Sequence, residues 1–305
     1  MTPGAFKPRR ELGKTGFHAT VLGIGDIADR RIPLAELVKT ARRAMDAGLN
    51  VIDTAPGYEN GYSEEVVGRA LRGRRDGMFV IDKIDFADQP VSPQVEGSLS
   101  RLGLDSVDLF VFHGVSMEQW RLLSGPGGGC ARLDACLAAG KARFKGISAH
   151  TPDVLLEALK SGWCDVVMFP MGPYVHGDCV DRVLPLAKTL GVGTVCFKTF
   201  GAGKLLGDTT GYNQPLRRRP RGKTSSGGAP AAPRLTCLSV AECVGYTLTR
   251  DPDVALLGLS FPNEQDAAFK AALAFRPLPP ARMTDIRRRA AEAVKGKGPC
   301  WWGVP

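Results

Sequence analysis

The chain has 305 residues, 44% of them hydrophobic and 23% charged, an ordinary globular composition. Its net charge of +9 suggests nucleic acid until it is localised: residues 211–235 hold Arg217, Arg218, Arg219, Arg221, Lys223 and Arg234 and no acidic residue, so the excess belongs to one stretch and not to a basic face. The basic N-terminus leads into no signal peptide, and no run of ~18 apolar residues could span a bilayer, which excludes a membrane protein and favours the cytoplasm.

In chain order, ELGKTGFHATVLGIG reads as a short hairpin and then a strand ending near Gly25. LAELVKTARRAMDAG has helical periodicity with Gly48 as C-cap. LNVIDTA is a strand, SEEVVGRALRG a helix capped by Ser63, and MFVIDKI a strand. SPQVEGSLSRLG is a helix with Ser92 as N-cap and Pro93 in its first turn, followed by the strand VDLFVFH. A helix near 130–140 leads to the strand ARFKGIS, then a helix from Thr151 to Gly162 and the strand CDVVMFP. DCVDRVLPLAKTLG (helix) and VGTVCFKTF (strand) come next, then SVAECVGYTLTR (helix), DVALLGL (strand) and NEQDAAFKAALA (helix).

Eight strand–helix units with continuously apolar strands imply parallel strands, and eight in one chain favour a closed barrel. The fold expected is an α/β (β/α)₈ TIM barrel with an N-terminal β-hairpin and an extra C-terminal helix, MTDIRRRAAEAVKG, forming a single domain over residues 1–305. Residues 208–236, rich in Gly, Pro, Ser and Arg, form a mobile loop inside it. Trp301 and Trp302 either pin the tail across the barrel or line a substrate cleft. The eight cysteines show no metal or iron–sulfur spacing and read as buried free thiols of a reducing compartment.

In such a barrel the site lies at the C-terminal ends of the strands. Asp53 ends the second strand, Tyr58 lies in the loop after it, Lys83 ends the third and His113 the fourth. One such residue has bland explanations, a turn, a cap or a solvated side chain. Four on successive units point to a site.

NVIDTAPGYENGYSEEVVGRAL closely resembles the signature segment of the aldo-keto reductases, and RELGKTG, VDLFVFH and GKARFKGIS match the same pattern, from about Arg10 to Ala274. The resemblance implies an NAD(P)(H)-dependent oxidoreductase, moving a hydride between NADP(H) or NAD(H) and a small-molecule carbonyl or alcohol. Tyr58 would be the general acid, its pKa lowered by Lys83. Asp53 would hold Lys83, and His113 would orient the carbonyl oxygen. The cofactor would lie against Gly25, Asp26, Asp53, Ser148, Met168, Lys198, Gly201, Gly203, Lys204, Gly258, Ser260, Asn263 and Gln265.

Several of these positions depart from the family pattern. Ser148-Ala149 stands where Ser-Asn is usual, Met168 where Gln is, and Asp26 where Thr is. Leu259 and Gln265 stand where NADPH-binding members carry a basic residue and an Arg, while Ser260 keeps their Ser, which weakens the expected NADPH preference. GVGTVCFKTFGAGKL resembles a subgroup often carrying an iron–sulfur module, but only Cys300 lies in the tail, so neither cluster nor metal is expected. A regulatory or sensing barrel with little turnover is the alternative, and a nucleic-acid partner is disfavoured. The oligomeric state is not legible.

Overall fold

The computed structural model describes residues 4, 6–27, 29–30, 32–206, 237–259, 262–295, 300 and 302. The loop expected over 208–236 lies outside the described residues, as do Ser260 and Trp301. β1 (Arg9–Glu11) and β2 (His18–Thr20) pair antiparallel as the expected hairpin. Eight parallel strands then close a barrel: β3 (Leu22–Ile24), β4 (Val51–Asp53), β5 (Phe79–Ile84), β6 (Val107–Phe112), β7 (Ala142–Ser148), β8 (Val166–Pro170), β9 (Gly193–Phe197) and β10 (Val254–Leu257). They run in chain order, and β10 closes on β3 through Ala255–Leu22 and Leu257–Ile24.

The barrel helices are α1 (Leu34–Ala47), α2 (Tyr62–Leu71), α3 (Val91–Leu102), α4 (Met117–Ser124), α5 (Gly129–Ala138), α6 (Pro152–Lys160), α7 (Leu184–Leu190), α8 (Val240–Thr249) and α9 (Pro262–Leu273). α10 (Pro280–Ala293) is the extra C-terminal helix. Gly48 ends α1 in the left-handed conformation and returns its N–H to Ala44 O and Met45 O. α8 opens with a capping box between Ser239 and Glu242.

Local readings fail at helix starts. α4 is absent from the sequence reading although Ser116 and Gln119 form a capping box; its eight residues carry too short a period to stand out. Ser63 does not cap α2, which starts at Tyr62; its buried hydroxyl accepts a hydrogen bond from Thr54 Oγ1 at 2.9 Å. Ser92 does not cap α3, whose first residue is Val91 after Pro90. The helix before β9 begins with a π-helical turn, Cys179–Val183.

Strand alternation divides the core in two. On β5, Phe79 and Ile81 join an inner cluster with Val51, Leu109, Val111, Val166, Met168, Val195, Val254 and Leu256, while Val80 and Ile84 face the helices. Leu12 and Ala19 from the hairpin close this inner cluster at the N-terminal end, where Phe17 packs on Phe79 with ring centroids 5.0 Å apart. Asp53, Lys83 and His113 share the parity of the inner residues on their own strands. Each is therefore the next inward position above the apolar fill, at the opposite mouth. These three need no special backbone to converge: alternation and closure aim them inward.

α2 carries the loop of Tyr58 and lies close against α3. A Cβ at Gly68 would sit 2.0 Å from the carbonyl oxygen of Leu102. Gly68→Ala must push α2 off α3, with an expected loss of about 1–3 kcal/mol in denaturant unfolding. Wild-type stability in that variant would show that the contact relaxes freely.

Candidate active site

Lys83 is 2% exposed and donates from Nζ to Asp53 Oδ1 at 2.7 Å and to the carbonyl oxygen of Thr54 at 2.6 Å. An ammonium taken out of water needs such partners. Its Nζ also lies 4.5 Å from the centroid of the Tyr58 ring. Burial works against the ammonium, but Asp53 and Tyr58 outweigh it, and Lys83 titrates above the ordinary lysine range. Burial pushes the Asp53 carboxyl the other way from its neighbour's pull, above the usual carboxylate range, with Lys83 drawing it back. We take the ammonium as the firm charge of the pair, since it has two donated hydrogen bonds.

Tyr58 sits on a tight loop. Glu59, Asn60 and Gly61 all have positive φ, at 52°, 53° and 81°. Two of them are not glycine, a strained backbone that surrounding contacts must hold. Arg30 supplies one such contact, donating from Nε and Nη2 to the carbonyl oxygen of Glu59 at 3.0 and 2.7 Å. The Tyr62 hydroxyl supplies another, donating to Ile32 O at 3.0 Å. Burial raises the Tyr58 phenol above its ordinary range, and the Lys83 charge does not overcome it. Lys83 pulls the phenol down as expected, but the net shift is upward, because the same enclosure that brings the cation close also strips water from the oxygen. Tyr58 therefore holds its proton at neutral pH.

His113 meets the Tyr58 ring edge-on at 5.7 Å between centroids. Its Nδ1 lies 2.5 Å from Oδ1 of Asp85, a residue the sequence reading missed. The available signal was parity: Asp85 follows Phe79, Ile81 and Lys83 on the inward side of β5. His150 was missed as well. It stands two residues beyond Ser148, edge-on to Phe197 at 5.1 Å. Burial, then the charge of Lys198, push its imidazole down to about 3, so it is neutral.

The cofactor positions divide. Ser148, the last residue of β7, is in register with Met168 in the middle of β8, and both are buried. Met168 belongs to the apolar inner cluster and offers no amide. Gly25 donates to Leu257 O at 2.8 Å, and a Cβ at Gly258 would lie 3.4 Å from Asp26 O, so these three meet where β3 and β10 end. Lys198 (φ 73°), Gly201 (53°), Ala202 (52°) and Gly203 (85°) build a left-handed turn after β9. Lys198 and Lys204 place Nζ 4.9 and 5.4 Å from the Trp302 ring centroid, and Trp302 is buried. Trp302 therefore packs on the post-β9 loop.

Gln265 does not open to a ligand. Its Oε1 accepts from Arg43 Nη1 at 2.9 Å, and its Nε2 donates to Thr40 O at 2.8 Å and Leu259 O at 3.3 Å. A buried amide must satisfy itself inside the fold, and this one ties α9 to α1. Thr199 Oγ1 and Asn263 Nδ2 are buried without a hydrogen-bond partner among the described residues. Donors left so are suited to the oxygens of a nucleotide, so this end of the barrel fits such a group.

Removing one member of the buried ion pair exposes its weight. Asp53→Ala leaves the Lys83 ammonium without its carboxylate, facing only the Thr54 carbonyl and Tyr58, and the expected destabilisation is about 3–5 kcal/mol. Chemical denaturation checks it. A loss under about 1 kcal/mol would mean that water reaches Lys83.

A family model described as Aldo/keto reductase family matches residues 20–266. L-galactose dehydrogenase of Arabidopsis thaliana is 29% identical over 216 residues, 64% of this chain and 66% of that protein. Aldo-keto reductase YhdN of Bacillus subtilis is 25% identical over 298 residues, covering 84% of this chain and 86% of its own. Among solved structures, the glycerol dehydrogenase of Gluconobacter oxydans superposes with a TM-score of 0.71 at 20% identity, covering 96% and 97% of the two chains. An aldo-keto reductase from Klebsiella pneumoniae in complex with NADPH gives 0.69 at 20% identity, over 92% and 94%. These structures share the barrel, and the family match spans every barrel strand from β3 to β10: the chain belongs to the aldo/keto reductase family.

Proposed function

We propose that this barrel, working as one domain, is a nicotinamide-dependent oxidoreductase that interconverts a small carbonyl compound and its alcohol. Family membership supports the reaction class. The observation that carries the assignment here is a protonated, buried phenol set against a buried ammonium and beside an imidazole.

A bound nicotinamide cofactor would supply a hydride to the carbonyl carbon. As negative charge gathers on the oxygen, the Tyr58 hydroxyl gives up its proton to it. The Lys83 ammonium favours the phenolate left behind, and Asp53 keeps that ammonium in place. His113 orients the carbonyl oxygen by a hydrogen bond. Lys198, Thr199, Gly201, Gly203, Lys204 and Asn263 would hold the phosphates and the adenosine end, with Ser148 at the nicotinamide. A barrel that binds the nucleotide without turnover is the lesser reading, because Tyr58 retains a transferable proton within an intact tetrad.

Two outcomes follow. Tyr58→Phe should bind NADPH with wild-type affinity while reducing aldehydes at least ~100-fold more slowly, measured across a panel of aldehydes. Near-normal turnover would remove Tyr58 from its role. In parallel titrations, NADPH and NADH should differ in Kd by less than about tenfold, or ~1.4 kcal/mol, because Leu259 is apolar and Gln265 is committed elsewhere. A larger NADPH advantage would place a cation near the ribose phosphate that the aligned positions do not contain.

A further inference from the structure

We propose that Asp85 is a positioning residue that fixes the tautomer of His113, so that His113 donates a hydrogen bond to a carbonyl oxygen only as the imidazolium and, when neutral, offers Nε2 as an acceptor. This deepens the oxidoreductase reading and rests on it.

The geometry leaves little freedom. Asp85 Oδ1 and His113 Nδ1 are 2.5 Å apart at the ends of adjacent strands β5 and β6. Asp85 is an ionised acceptor. Burial opposes its charge, but the hydrogen bond and charge of His113, a backbone N–H from Gly57 and the charge of Lys83 hold its carboxyl below the ordinary range. A carboxylate has no proton to give, so the proton between the two atoms belongs to Nδ1. A neutral imidazole carries one N–H. With Nδ1–H committed to Asp85, Nε2 is a lone pair.

The consequence bears on direction. Orienting a ketone or aldehyde needs an N–H at Nε2, which here requires a second proton on the ring. In the reverse direction the alcohol O–H faces the Tyr58 phenolate, which takes its proton. The pair thus makes the carbonyl direction the proton-demanding one at His113. Several charged or titratable groups face His113: Asp85 and Lys83 from β5, Asp53 from β4, Tyr58 from the following loop and His150 beyond β7.

The test has an arm that needs no turnover. With 15N-histidine incorporated, nitrogen shifts are followed against pH, and the His113 signals among the four histidines are assigned by their loss in His113→Gln. The expected wild-type result is a protonated Nδ1 and a bare Nε2 once the ring is neutral. In Asp85→Asn the amide can donate to Nδ1, and the tautomer should invert. A bare Nδ1 in the neutral wild-type ring would overturn the proposal, whether or not any substrate is reduced.

The second arm reads kcat/KM for aldehyde reduction and alcohol oxidation against pH. In the wild type, reduction should show an alkaline limb, falling about tenfold per pH unit, that oxidation lacks. In Asp85→Asn, reduction should stay within about twofold over the same range. An unchanged alkaline limb in Asp85→Asn would overturn the proposal. If no aldehyde is turned over, the oxidoreductase reading falls, and the nitrogen shifts still decide the tautomer.

Discussion

The buried ammonium of Lys83 is the constraint around which the mouth of the barrel is organised. A lysine 2% exposed at the top of an apolar interior requires a carboxylate, a carbonyl and a polarisable ring around it. Asp53 meets the first need from the neighbouring strand, and Thr54 meets the second from the next residue. Tyr58 meets the third from a loop whose strained backbone is held by Arg30. Each partner is fixed by satisfying Lys83, so the reactive geometry is also the geometry that keeps a charge tolerable in the core.

That arrangement changes the usual argument about a catalytic phenol. A nearby cation would lower its pKa in water. Here desolvation is the larger effect, and the phenol stays protonated. A proton donor is what reduction of a carbonyl calls for in the resting state. The cation matters most after the transfer, when a phenolate must be held in a dry site.

The cofactor end follows a different logic. Its polar groups have been drawn into the fold: Gln265 ties α9 to α1, and Lys198 and Lys204 lie against the indole of Trp302. Met168 continues the apolar inner fill along β8 to the level of Ser148. In the function we propose, recognition there falls to Lys198 and Lys204, to backbone turned left-handed after β9 and to buried donors such as Thr199 and Asn263.

The eight-strand barrel and the tetrad were legible in the amino-acid order, because both rest on local regularities. Apolar strands alternate with helices at a steady spacing, and Asp53, Lys83 and His113 each sit at a strand end with inward parity. Helix starts were less legible: Ser63 and Ser92 resemble caps, yet Ser63 bonds Thr54 across the fold and α3 begins beside Ser92, at Val91. What tertiary structure alone decided are the pairings between elements distant in sequence. Asp85 with His113 spans two strands, Gln265 with Arg43 spans 222 residues, and Trp302 reaches Lys198 from the tail. The sign of the Tyr58 shift belongs with them, because it is set by how much water the closed barrel excludes, and no motif spacing records that.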